Sequence, residues 1–174
     1  ENVLGVVAVS LLEGIDEEVL IFNLKNFTGV EHRIEEVANI NGVKYINDSK
    51  GTNPIAAIKA LDTYQQPIIL IAGGYDKGSN FNDFALAIKN KVKDLILLGE
   101  TANKIKKAVE NKGFKNTHQV NTISEAVSLS VKLANSGDVV LLSPGCASWD
   151  MFNSYEQRGE FFKREVENLV NDKY

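Results

Sequence analysis

The residues able to do chemistry lie in three polar loops, each just beyond a strongly apolar run. Asn47-Asp48-Ser49-Lys50-Gly51-Thr52-Asn53-Pro54 follows Val43-Lys44-Tyr45-Ile46. Gly73-Gly74-Tyr75-Asp76-Lys77-Gly78 follows Ile68-Ile69-Leu70-Ile71, and Ser143-Pro144-Gly145-Cys146-Ala147-Ser148-Trp149-Asp150 follows Val139-Val140-Leu141-Leu142. Loops at the carboxyl ends of strands in an α/β sheet bind ligands because the scaffold fixes them while their backbone groups stay free. In the first loop Lys50 offers a cation, Thr52 a hydroxyl, and Asn47 and Asp48 acceptors. Pro54 suits the first turn of a helix, whose N-terminus carries a partial positive charge of about half a unit. A lysine at such a junction is as often only a solvated charge, but these neighbours favour an anion site. Asp48 would repel a bare phosphate, so it fits better on a ribose hydroxyl or a magnesium-bound water.

The second loop lacks the Gly-Lys-Ser/Thr ending of a Walker A motif and is not a dinucleotide fingerprint. Alone it reads equally as a charged tight turn. Lys77 nevertheless brings a second cation to the same sheet edge, and two lysines suit a substrate with more than one carboxylate or phosphate. In the third loop no histidine motif is placed to activate Cys146, which reads as a small buried residue. Ser148 is expected either to cap the following helix or, with the free amides around it, to take a carboxylate oxygen. Trp149 and Phe152 would wall the pocket or pack on the core. Arg33, within Glu31-His32-Arg33-Ile34-Glu35, is either half of a surface ion pair or a planar fork for phosphate at an interdomain hinge. His32 reads as structural, and His118 carries no functional signal.

The elements that must position these loops follow from periodicity. Residues 3–12 form a mostly apolar helix ending near Gly14, and Asp16 caps a second short helix reaching about residue 25. Phe27-Thr28-Gly29-Val30 reads as a linker. Val37-Ala38-Asn39-Ile40 and Val43-Lys44-Tyr45-Ile46 flank Asn41-Gly42, a type I′ hairpin signal. Helices at 54–62, 81–90, 101–112 and 123–135 then alternate with strands at 67–71, 94–98, 116–120 and 138–142, before a long amphipathic helix at about 152–170. This alternation predicts an α/β fold: a three-layer, Rossmann-like, mostly parallel sheet with helices on both faces, an N-terminal β-hairpin, and two short helices ahead of it.

The bulk properties fit. The 174 residues are 44% hydrophobic and 24% charged, as expected for a soluble globular domain. A net charge of -4 gives no basic footprint for nucleic acid, and no apolar run approaches the ~20 residues of a membrane-spanning helix. One cysteine and two distant histidines make neither a disulfide nor a zinc motif, so no metal site is expected within the chain and a reducing, cytoplasmic setting is. Because the chain begins at Glu1 within a helix-like run, it is expected to be part of a longer polypeptide.

Together these motifs resemble the Mur ligases that add D-glutamate. The resemblance is carried by Glu31-His32-Arg33-Ile34-Glu35, the three loops, Asp150, Phe152 and Glu156-Gln157-Arg158-Gly159, and it covers nearly the whole chain. It implies a three-domain, monomeric ligase that uses ATP and Mg2+ to form an acyl phosphate on UDP-N-acetylmuramoyl-L-alanine, which the amine of D-glutamate then attacks. Residues 1–26 would be the terminal helices of the central ATPase domain, and residues 27–174 the C-terminal amino-acid-binding domain. Carried over, Arg33 and Asp48 would contact the nucleotide. Lys50, Thr52, Lys77 and Ser148 would surround D-glutamate, with Trp149 in the pocket wall and Tyr155 beside the distal carboxylate where the family usually has Phe. Gly51 and Gly145 stand where Ala is common, and Trp149 replaces a smaller apolar residue. No residue of this chain is assigned a catalytic role. The phosphate loop and magnesium ligands of the central domain lie outside these residues, so the chain alone is expected to be inactive. The rival readings are a folylpolyglutamate-synthase-like ligase and a non-enzymatic module that binds a small anion.

Overall fold

The computed structural model describes residues 2–27 and 29–171; of the expected linker, Thr28 lies outside them. Two helices open the chain, α1 (Asn2–Leu12) and α2 (Glu17–Lys25). As expected, the Asp16 carboxylate caps α2, accepting from the backbone N–H groups of Glu18 at 2.8 Å and Val19 at 3.4 Å. β1 (Glu35–Ile40) and β2 (Val43–Asn47) form an antiparallel hairpin. Asn41 and Gly42 turn it with φ of 54° and 80°, the positive values that a type I′ turn requires at both positions.

The rest alternates: α3 (Pro54–Leu61), β3 (Ile68–Ala72), α4 (Asn82–Lys91), β4 (Val92–Leu97), α5 (Ala102–Glu110), β5 (Thr117–Gln119), α6 (Ile123–Leu133), β6 (Val139–Leu142) and α7 (Tyr155–Asn171). The six strands form one sheet in the order β1-β2-β6-β3-β4-β5, parallel except for β1. Side chains alternate across its two faces, as the strand period of two dictates. Ile68, Leu70, Ala72, Leu95 and Leu141 pack with Ala57, Phe84, Ile88 and Ile105 of α3, α4 and α5. Ile69, Ile71, Ile96, Val140 and Leu142 pack with Ala126 and Val127 of α6 and Phe162 and Val166 of α7. The three layers of the expected fold are present.

This topology brings the three loops side by side. β6 inserts between β2 and β3, and all three strands run parallel. The chain leaves β2 and β3 towards the face of α3 and α4, but leaves β6 towards the opposite face and α7. A ligand crevice opens where neighbouring connections diverge in this way.

Candidate functional site

The loop after β2 is built on buried polar contacts. Asn47 Oδ1 accepts from the Ser49 N–H at 3.1 Å, which fixes the amide's orientation. Its Nδ2 donates to Glu35 Oε2 and to His32 Nδ1, both at 3.0 Å. Nδ1 of His32 is thereby an acceptor, and the proton of the neutral ring sits on Nε2. The His32 carbonyl accepts the Lys50 N–H at 3.0 Å. His32 is therefore structural, as expected, but what it supports is the loop that carries Lys50. Asn53 caps α3 by accepting the Ala56 N–H at 2.9 Å, and Pro54 occupies the first turn.

Asp48 is buried and accepts from Ser143 Oγ at 2.7 Å. Burial raises its pKa above the ordinary carboxylate value, opposed by the Ser143 hydroxyl, the Ile34 N–H, and the charges of Arg33 and Arg158. Gly51 leaves room for this carboxylate: a Cβ there would stand 2.6 Å from Asp48 Oδ2 and 3.0 Å from Ser143 Oγ. Arg33 is exposed, between His32 and Ile34 with φ of 61° and 48°. A β-branched residue at positive φ is strained, and such strain persists only where the surroundings impose it.

The loop after β3 is fastened to the loop after β6. The Gly73 N–H donates to Pro144 O and the Tyr75 N–H to Ala147 O, both at 2.9 Å. Thr101 sits beneath them, its hydroxyl accepting from the Gly74 N–H and lying 3.2 Å from Cys146 Sγ. Asp150 Oδ2 accepts the Glu100 N–H at 3.0 Å. Cys146 is buried, as expected, and burial pushes its thiol pKa up to about 11. That leaves it protonated and unsuited to nucleophilic attack.

Above this framework stand two cation–aromatic pairs. Lys50 Nζ lies 5.3 Å from the Tyr155 ring centroid, and Lys77 Nζ lies 4.4 Å from that of Trp149. Trp149 also packs against Tyr75, 5.7 Å between centroids. Among the described residues neither ammonium has a carboxylate partner, and of the lysines without one these two rest on an aromatic face. An ammonium resting on an aromatic face keeps a modest attraction there and remains available to an incoming anion. Thr52 is half-buried beside Lys50 in the same loop.

Ser148 is buried but does not cap α7. Its carbonyl accepts from Met151 and Phe152 in an intervening turn, so α7 starts at Tyr155 rather than near 152. Ser154 takes the capping role, accepting the Gln157 N–H at 3.3 Å while Gln157 Oε1 takes the Asn153 N–H. Close by, Glu31, His32 and Glu160 offer ligand atoms within 4.8 Å of one another. Lys163 fills that cation position, at 2.8 Å from Glu31 and 3.1 Å from Glu35 and Glu160.

Sequence reasoning missed Thr101 and the structural part played by Arg158. Thr101 carries no local motif. Arg158 was visible only as one member of Glu156-Gln157-Arg158-Gly159, and its partner residues Ser49 and Cys146 lie 109 and 12 residues away in sequence.

The model of the Mur ligase glutamate ligase domain matches residues 32–146. The chain belongs to the Mur ligase family. Among its relatives, the UDP-N-acetylmuramoylalanine–D-glutamate ligase of Caldicellulosiruptor bescii is 54% identical over 170 residues, 98% of this chain and 37% of that protein. The chain thus spans little more than a third of the length of that relative. In fold it is similar to the UDP-N-acetylmuramate-alanine ligase of Thermotoga maritima, with a TM-score of 0.69, 18% identity, and coverage of 96% of this chain and 37% of that one. The Yersinia pestis bifunctional folylpolyglutamate synthase/dihydrofolate synthase, solved with AMPPNP and a manganese ion, follows at a TM-score of 0.62 and 14% identity, covering 86% of this chain and 34% of that one. Both folylpolyglutamate synthases and Mur ligases therefore share this domain's fold.

Proposed function

We propose that this chain is the C-terminal, amino-acid-binding part of an ATP-dependent ligase that joins D-glutamate to UDP-N-acetylmuramoyl-L-alanine in the cytoplasm. The observation carrying the reading is the pair of ammonium groups, Lys50 and Lys77, held over aromatic rings with no carboxylate partner among the described residues. A dicarboxylate amino acid is the ligand such a pair fits, one cation for each carboxylate, with Thr52 and Ser148 as hydroxyl donors. Trp149 and Tyr155 then wall the pocket and set how far each ammonium reaches. The likeness to a ligase named for D-glutamate, at 54% identity, supports the same choice over a folylpolyglutamate-synthase-like enzyme or an anion sensor.

ATP, with Mg2+, supplies the activation of the acceptor carboxylate as an acyl phosphate. In this chain Asp48, already bonded to Ser143, keeps acceptor capacity for a ribose hydroxyl, and exposed Arg33 beside it offers a fork to phosphate. Residues 1–26 are read as the closing helices of the preceding ATPase domain, because their apolar side chains lie bare: Leu4 is 73%, Leu12 87% and Phe22 66% exposed. Chemistry then requires the rest of the polypeptide, and the chain alone is inactive. What these residues do is hold the D-glutamate amine at attacking distance, an effect of orientation rather than of proton transfer.

In the full-length protein, Lys50→Ala and Lys77→Ala should each lower kcat/KM for D-glutamate by about 30-fold or more, ~2 kcal/mol or above. KM for ATP should stay close to the parent's. Values for both variants within twofold of the parent would remove the two lysines from the amino-acid site.

A further inference from the structure

Among the described residues Arg158 is the largest fully buried side chain, 1% exposed, and its guanidinium has no carboxylate partner there. All its hydrogen bonds go to the two loops that carry the site. Nε donates to Ser49 Oγ at 3.0 Å and Nη2 to Ser49 O at 2.9 Å. Nη1 and Nη2 both donate to Cys146 O, at 3.1 and 3.2 Å. Ser49 adjoins Lys50, and Cys146 lies two residues before Ser148. The Ser49 hydroxyl passes the connection on, donating to Tyr155 O at 2.7 Å, under the ring on which Lys50 rests.

A buried charge costs stability unless its surroundings repay the lost hydration, and hydrogen bonds to neutral carbonyls do so less completely than an ion pair. Only a planar fork of five N–H groups can bond a hydroxyl and two carbonyls of separate loops at once. Gly159, the next residue, meets the same framework: a Cβ there would stand 2.3 Å from His32 Nδ1 and 3.1 Å from Asn47 Nδ2.

We infer that Arg158 is a positioning residue for amino-acid recognition, clamping the Lys50 loop to the Ser148 loop so that both faces of the amino-acid site keep a fixed separation. The inference rests on the D-glutamate reading for the identity of the ligand. The clamp itself rests on the geometry alone.

The test compares Arg158→Ala and Arg158→Lys with Val166→Ala, a buried core position farther along the same helix. In full-length protein, Arg158→Ala should raise KM for D-glutamate by about tenfold or more, since small misplacements of positioning groups are amplified in rate. KM for ATP should move less than twofold, and Arg158→Lys should restore part of the loss. Val166→Ala should lower the thermal midpoint without moving KM for D-glutamate. If KM for D-glutamate rises equally in Val166→Ala, or not at all in Arg158→Ala, the positioning role is wrong. A parent with no D-glutamate turnover would overturn the ligase reading and not the clamp. The clamp has its own readout in the 174-residue chain, where Trp149 is the sole tryptophan. Its fluorescence anisotropy should fall in Arg158→Ala and hold in Val166→Ala; anisotropy unchanged in both would overturn the clamp.

Discussion

At the scale of single residues, the division of labour follows charge and burial. The lysines left over aromatic faces are exposed or half-buried, while the groups that hold them in place are fully buried and hydrogen-bonded. Asp48 belongs to the buried set. Its burial raises its pKa from the ordinary 3.8, so the folded protein binds that proton more tightly than the unfolded chain does. The associated stability is therefore full below the unfolded value and is lost as pH rises through the higher folded one. Asp48→Asn keeps an oxygen for Ser143 and removes the buried charge. It should raise the thermal midpoint near pH 7 by about 2–4 °C, with the gain shrinking towards zero near pH 4, while weakening nucleotide-dependent activity in the full-length protein. A midpoint lowered at pH 7, or a gain independent of pH, would show that the carboxylate is not held at a cost. The loop placements of Lys50, Thr52, Lys77 and Asp48 were legible in the sequence because apolar runs mark the strands before them. Thr101 and Arg158 were not, because a buried hydrogen-bond partner is defined by what folds against it.

At the scale of elements, Asn41-Gly42 specified the hairpin, and the apolar runs specified strands buried on both faces. Boundaries moved where side-chain capping decides them. Residues 148–152 make a turn on the Ser148 carbonyl, and α7 waits for the Ser154 and Gln157 pair, so periodicity alone started the helix too early. The shortest strand, β5, keeps three residues (Thr117–Gln119) of the five expected, at the edge of the sheet. Close packing of loops on strands also depends on Gly73, at φ 115°, where a Cβ would stand 2.0 Å from the Leu98 carbonyl oxygen. That oxygen is backbone and cannot step aside. Gly73→Ala should lose about 2 kcal/mol or more of stability, measured by denaturant unfolding of the 174-residue chain. A loss below about 0.5 kcal/mol, the range of ordinary surface substitutions, would show that the loop adjusts freely.

At the scale of the whole molecule, the proposed reading needs a partner domain that activates the acid to which the amino acid is joined. On that reading the bare apolar side chains of α1 and α2 meet another domain, which closes over Lys50, Lys77 and Arg33. Which amino acid enters is the central claim, and amide formation by the full-length protein tests it most directly. D-glutamate, L-glutamate, meso-diaminopimelate and L-lysine would be compared at saturating ATP and UDP-N-acetylmuramoyl-L-alanine. Two cations without carboxylate partners among the described residues favour a dicarboxylate over L-lysine, and the likeness to a ligase named for D-glutamate adds the choice of enantiomer, so the account predicts turnover with D-glutamate alone; turnover with another of the four, or with none, would contradict it.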